Sequence, residues 1–236
     1  MSKIDELSDK FDLLIGSYND SNHLALAFDE YQKSLFFTHA MEAVLQKYYD
    51  TYELNERSKE ALSTLLTEKV IDLSSISPDK KKYNRVDYSY NVNLDDSIED
   101  FNTNCMFIVE EKASFSDIAP ICVQEGNPVG VQPISHDECT SICNNPFRSV
   151  NKRRVLRIVA DSKDMENHFD ILSSYPLKEY KIYYIRKPKP IIFADLDNNL
   201  YISGQNKKSE SIELGEAVLS EILELASSYA IETLKR

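Results

Sequence analysis

At 236 residues, with 42% apolar and 28% charged side chains, the chain can bury one large core or two small ones and needs neither a disulfide nor a metal to stay folded. No run approaches the ~20 consecutive apolar residues of a membrane-spanning helix, and MSKIDELSDK lacks the apolar centre of a secretory signal. The formal net charge of −12 disfavours a free nucleic-acid binder, whose affinity rests on cations that displace phosphate counterions.

Along the first seventy residues the apolar positions recur at helical spacing. Ile4, Leu7, Phe11 and Leu14 mark a first short helix, which Gly16, Asn19, Asp20 and Asn22 are expected to break. Leu35, Phe36 and Phe37 then lead into Thr38 as an N-cap, after which Met41, Val44, Leu45, Tyr48 and Tyr52 keep one face apolar. Asn55 caps a third helix bearing Ala61, Leu62, Leu65 and Leu66.

From residue 74 the period changes to two. Val86, Tyr88, Tyr90 and Val92 alternate with polar residues, and strand-like runs follow at Cys105 to Val109, Val155 to Ala160, Tyr180 to Arg186 and Leu200 to Ser203, with prolines between them. Ser135 and Glu138 fit a capping box for a short helix that stops at Asn144, Asn145 and Pro146. Pro188 and Pro190 impose an extended segment. Leu214, Val218, Ile222, Leu225 and Tyr229 predict a closing helix. The expected architecture is therefore α+β: a helical lobe from residues 1–73 and 205–236, with a β-rich lobe inserted at 74–204.

Signs of chemistry are sparse. His136, Cys139 and Cys143 share one helix side, with Cys105 or Cys122 as a further ligand, but zinc sites ordinarily pair two such elements, and lone buried cysteines are common core residues. An unexported chain is expected to keep its four thiols reduced. Pro78-Asp79 and Glu110-Glu111-Lys112 spell the two elements of a PD-(D/E)xK nuclease, in which Asp79 and Glu110 would bind a metal and Lys112 would stabilise developing charge. Against this, Asp79 opens a lysine-rich turn, and charges at a strand end are commonplace. Asp195 and Asp197 lie in a DLDNN run typical of turns. No P-loop, dinucleotide-binding or nucleophile-elbow motif is present, and His23, His39, His136 and His168 pair with no nucleophile.

The charge is unevenly distributed. Residues 1–70, 71–144 and 191–236 carry net charges of −6, −8 and −4, whereas 145–190 holds 11 basic residues against 5 acidic ones, a net +6. A basic island in an acidic chain suits docking between copies or onto a partner; its bland alternative is neutralisation by acids of the same molecule. Clustered Tyr180, Tyr183 and Tyr184 suit a partly wet contact surface, and on a strand Tyr183 and Tyr184 point to opposite faces.

Three stretches, KSLFFTHAMEAVLQKYYDTYELNERSKEALSTLLTEKVI (33–71), PISHDECTSICNNPFRSVNKRRVLRI (133–158) and EYKIYYIRKPKPIIFADL (179–196) with the helix after it, occur in an order that resembles a known family. The chain resembles the ring-forming head-to-tail connector and neck proteins of tailed bacteriophages, most closely the portal-adjacent ring protein of crAss-like phages. The N-P-F-R element falls on Asn145 to Arg148 and the P-x-P element on Pro188 to Pro190. The resemblance implies a structural virion protein: a twelve-fold ring in the neck, made in the host cytoplasm, with no catalysis, cofactor or metal. Its implied partners are further copies of itself, the portal protein and other neck or tail ring proteins. DNA would pass through its channel without sequence-specific binding, and no membrane is involved. The contact candidates are Asn145, Pro146, Phe147, Arg148, Lys152, Arg153, Arg154, Arg157, Tyr183, Tyr184, Arg186 and Lys187. The alternatives are the metal-dependent nuclease and another tail or baseplate subunit.

Overall fold

The computed structural model describes residues 3–22, 27–80, 82–94, 104–116, 128–159, 168–197 and 199–234. The contacts divide the chain into two units, one made of residues 1–65 and 188–236 and the other of 66–187. The first is helical and the second holds a seven-stranded curled sheet, so the protein is α+β.

The helical unit contains α1 (Lys3–Asn22), α2 (Glu30–Asp50), α3 (Glu56–Leu62) with a 3-10 turn at Ser63–Leu65, and the closing helix, here α5 (Glu216–Leu234). In α1 the inward face is Ile4, Leu7, Phe11 and Ile15; Leu14 is 44% exposed, and the helix runs on past Gly16 to Asn22 instead of breaking there. The second helix also starts earlier than its apolar pattern predicts. Asp29 accepts from the Gln32 backbone at 2.7 Å while the Gln32 side chain accepts from the Asp29 N–H at 3.2 Å, a complete capping box. Thr38 is therefore an interior residue, buried, its hydroxyl donating to the Ser34 carbonyl at 2.8 Å. Asn55 does cap α3, accepting from the Arg57 N–H.

Phe11, Phe37 and Phe193 form the aromatic centre of this unit, with ring centroids 5.6 Å apart for Phe11–Phe37 and 4.9 Å for Phe37–Phe193. Lys33, 4% exposed, reaches Asp12 at 2.7 Å and Glu30 at 3.0 Å, so its buried charge is compensated on two sides. Glu221 of α5 accepts from Tyr48 at 2.7 Å and pairs with Lys47 and Arg57, tying α5 to α2 and α3.

The sheet comprises β1 (Leu66–Asp72), β2 (Tyr88–Asn93), β3 (Cys105–Phe115), β4 (Val129–Ile134), β5 (Val155–Val159), β6 (His168–Ser173) and β7 (Leu177–Arg186), in the order β1-β7-β3-β4-β5-β6-β2. Every pair is antiparallel except β4–β5, which are parallel because α4 (His136–Asn144) crosses between them. One core joins Ile71, Tyr90, Val92, Leu94, Ala113, Tyr180 and Ile182; α4 covers a second, built from Ile134, Cys139, Ile142, Cys143, Leu156, Ile158 and Leu172. Leu66 opens a strand instead of ending a helix, and the run at Leu200 to Ser203 reduces to one bridge, Ile202 to Gln205. Ser203 and Gly204 both take positive φ there, 48° and 78°, so the chain turns back at once.

Candidate functional site

The cationic segment is a built loop. Ser135 caps α4 by accepting from the Glu138 N–H at 3.4 Å, and the helix ends at Asn144. Asn145 then turns the chain: its side-chain oxygen accepts from the Phe147 N–H at 2.9 Å, and its carbonyl accepts from the N–H groups of Arg148 (3.1 Å) and Ser149 (2.8 Å). Ser149 and Val150 point inward, 5% and 7% exposed, and the Val150 carbonyl accepts from Ser174. A second tight turn closes between Asn151 and Arg154, whose backbones bond each other at 3.0 and 3.1 Å. Arg154 completes the frame by donating to the Phe147 carbonyl at 2.9 Å.

Phe147 projects from this frame with 87% of its surface exposed. Around it Pro146, Arg148, Lys152 and Arg153 are also exposed, and none of these three cations forms an ion pair with a described acid. The loop thus places a large aromatic ring in water among cations that have no acidic partner among the described residues.

The other candidates are placed differently. Arg157 turns inward: its Nε donates to Glu111 Oε1 at 2.8 Å and Oε2 at 3.1 Å, and its guanidinium stacks on Phe169 at 4.3 Å. Tyr180, fully buried, donates to the same Glu111 at 2.5 Å; burial first, then the adjacent carboxylate, pushes its phenol far up. Tyr184 lies in the core at 6% exposure. Tyr183 is half-buried, with the Lys112 ammonium 5.3 Å from its ring centre. Arg186 is half-buried and Lys187 exposed. In the sequence Glu111 appears only as the middle residue of the nuclease element, with no role of its own, although strand alternation carries the signal: on β3 it faces the opposite side from Glu110 and Lys112.

The nuclease candidates are not gathered into one site. Glu110 and Lys112 pair with each other at 2.9 Å, whereas Asp79 bridges Ser89 alongside β2, at the other end of the strand order from the β1–β7–β3 group. Nor do the metal candidates converge. Cys139 and Cys143 sit 3.8 Å apart in the core beneath α4 while His136 is exposed, and burial pushes the Cys143 thiol up to about 12. Among the described residues, no group of three His, Cys, Asp or Glu side chains is placed to hold a metal ion; Cys122 lies outside them. No described helix is long and apolar enough to cross a membrane.

Comparison with known proteins gives one consistent answer. The family model described as phage tail ring protein 3/4 matches residues 1–235. Ring protein 3 of Bacteroides phage crAss001 is 30% identical over 234 residues, covering 96% of this chain and 94% of that protein. Ring protein 4/5 of the same phage is 24% identical over 240 residues, covering 96% and 91%. With a match along nearly the whole length of both, the chain belongs to the phage tail ring protein 3/4 family, the structural ring proteins of crAss-like phage virions.

Proposed function

We propose that copies of this chain close into a twelve-fold ring in the head-to-tail connector, joining the portal to the next neck or tail component around the DNA conduit, and that the Asn145–Arg154 loop is one half of the contact between neighbouring subunits. The observation that carries the reading is the exposure of Phe147 amid Arg148, Lys152 and Arg153 without described acidic partners. A ring formed by rotation needs two different, complementary faces on each subunit. The helical unit supplies the opposite sign, with 20 acidic residues against 11 basic ones. Acidic surface beside the conduit would repel phosphate and let DNA pass without sequence-specific binding.

Particle mass in solution, alone and mixed with portal and other ring proteins, tests the assignment. The expected species is a closed oligomer of about twelve subunits, converted to monomer by Arg148→Glu with Arg153→Glu while the thermal unfolding midpoint stays unchanged. These two positions are the right ones to reverse, because Arg154 also holds the loop frame. A chain that stays monomeric with every neighbour, or a doubly reversed chain that assembles normally, would overturn the proposal.

A further inference from the structure

Within the helical unit, α2 and α5 border a groove of about 350 Å³ lined by Phe36, His39, Tyr229, Glu232 and Thr233. Phe36 and Tyr229 are half-buried, and Phe36 is itself braced edge-on by Phe28 with centroids 5.2 Å apart. Thr233 donates to the Tyr229 carbonyl at 2.9 Å, which leaves its methyl free to line the wall. Glu232 is exposed and makes no ion pair with a described residue. The groove therefore offers aromatic faces, room and a carboxylate with no ion-pair partner among the described residues.

We infer that this groove receives the Phe147–Arg148 knob of a second copy of the chain, the phenyl ring entering between Phe36 and Tyr229 and the guanidinium meeting the Glu232 carboxylate. The inference rests on the reading of the loop as a subunit contact and adds the surface that accepts it. Three observations select a second copy as occupant. The sizes agree: a cavity of roughly 150 Å³ already accepts a benzene-sized group, so this one holds a phenyl ring together with the stem of the adjacent arginine. The charges agree, exposed cations beside the knob's ring, Arg148 the one adjacent in sequence, and the exposed Glu232 carboxylate beside the groove's rings. The topology agrees as well, because the knob belongs to the sheet unit and the hole to the helical unit, and two different surfaces that fit each other make a head-to-tail contact, which repeats around a ring. Aromatic and arginine side chains seated in a pocket are the usual energetic centre of such contacts.

Charge exchange between two separately purified variants tests this. Arg148→Glu and Glu232→Arg are each expected to lower the assembled fraction about tenfold or more at fixed concentration, and Phe147→Ala to do the same without moving the thermal midpoint. Mixing the two charge variants should restore assembly. The carboxylate that Arg148→Glu places on the knob then meets the guanidinium that Glu232→Arg places in the groove of the other chain, while that chain's own Arg148 meets the Glu232 its neighbour retains. The chain carrying both substitutions should assemble unaided. If Arg148→Glu disrupts assembly but neither the mixture nor the double variant recovers it, the loop docks elsewhere: the groove assignment falls and the subunit-contact reading stands. If the double variant recovers and the mixture does not, the pair lies within one molecule and the inference is overturned. If no variant changes the particle mass, both readings fall.

Discussion

At the scale of single residues, arginines of one short basic run do opposite work. Arg154 commits its guanidinium to the Phe147 carbonyl and Arg157 to Glu111, whose carboxylate is 3% exposed and is also held by Tyr180. Arg153 has no such partner among the described acids. Removing one partner of a buried pair leaves the other uncompensated, which costs about 3–5 kcal/mol, whereas an exposed unpaired side chain contributes within about 0.5 kcal/mol. Chemical denaturation should accordingly find Arg157→Ala destabilised by several kcal/mol and Arg153→Ala close to the parent. Particle mass should rank them the other way, with Arg153→Ala losing assembly while it stays folded. A sequence shows both residues only as positive charge. What separates them is strand position: Arg157 lies on β5 between buried Leu156 and Ile158 and reaches across to β3, while Arg153 sits in a turn.

Among the elements, the legible ones are those whose signal is local. The caps at Asn55 and Ser135, the closing helix and the strand before Arg186 are all set by residues within one or two turns of each other. The strands that escape notice are those whose stabilisation comes from elsewhere. Strand β4 contains Gly130 and Pro133, ordinary strand breakers; yet β3 pairs with it only at Val129 and Gly130, so Pro133 sits where no N–H is required on that side, facing Arg157 of β5 on the other. Strand β6 is buried nearly throughout and so shows no alternation, and it carries a buried Asp170 that reads as a turn residue. That carboxylate is a fastening point: it accepts from Lys82 at 2.7 Å, Tyr83 at 2.6 Å and Asn91 at 3.1 Å, binding the segment before β2 and β2 itself to β6. Burial opposes its charge, but the three hydrogen bonds, together with the positive charge of Lys82, outweigh burial and hold its pKa below the ordinary carboxylate value. A carboxyl depressed in the folded state contributes stability that is present above its unfolded pKa, near 4, and lost as pH falls through the folded value. Stability measured by denaturant from pH 7 downward should therefore fall across the acid range. Asp170→Asn should be less stable at pH 7 and show a shallower fall, and an unaltered acid profile would remove Asp170 as its cause.

For the molecule as a whole, the sequence exposes the loop and hides its proposed receptor for the same physical reason. Asn145 to Arg154 is contiguous, so its cations, aromatic ring and turn residues can be read in one glance along the chain. Phe36 and His39 are separated from Tyr229, Glu232 and Thr233 by nearly two hundred positions, and only the packing of α2 against α5 makes them neighbours. Charge is likewise a property of the assembled units: the helical unit carries a net −9 and the sheet unit a net −3 that conceals its cationic loop. If cationic loops seated on acidic helical units hold the ring, its stability must depend on ionic strength, because the screening length shrinks from about 10 Å at 0.1 M salt to about 3 Å at 1 M. Sedimentation across that range should show the oligomer of the parent chain dissociating as salt rises. The Phe147→Ala chain keeps the charges and loses the ring contact, so it should be weaker at every salt concentration with the same slope. The Arg148→Glu chain keeps the ring but replaces the cation by an anion, so its slope should flatten or reverse. Parallel slopes for both variants would mean that Arg148 faces no acid in the assembly, and the electrostatic half of the contact would have to be assigned to Lys152 and Arg153 alone.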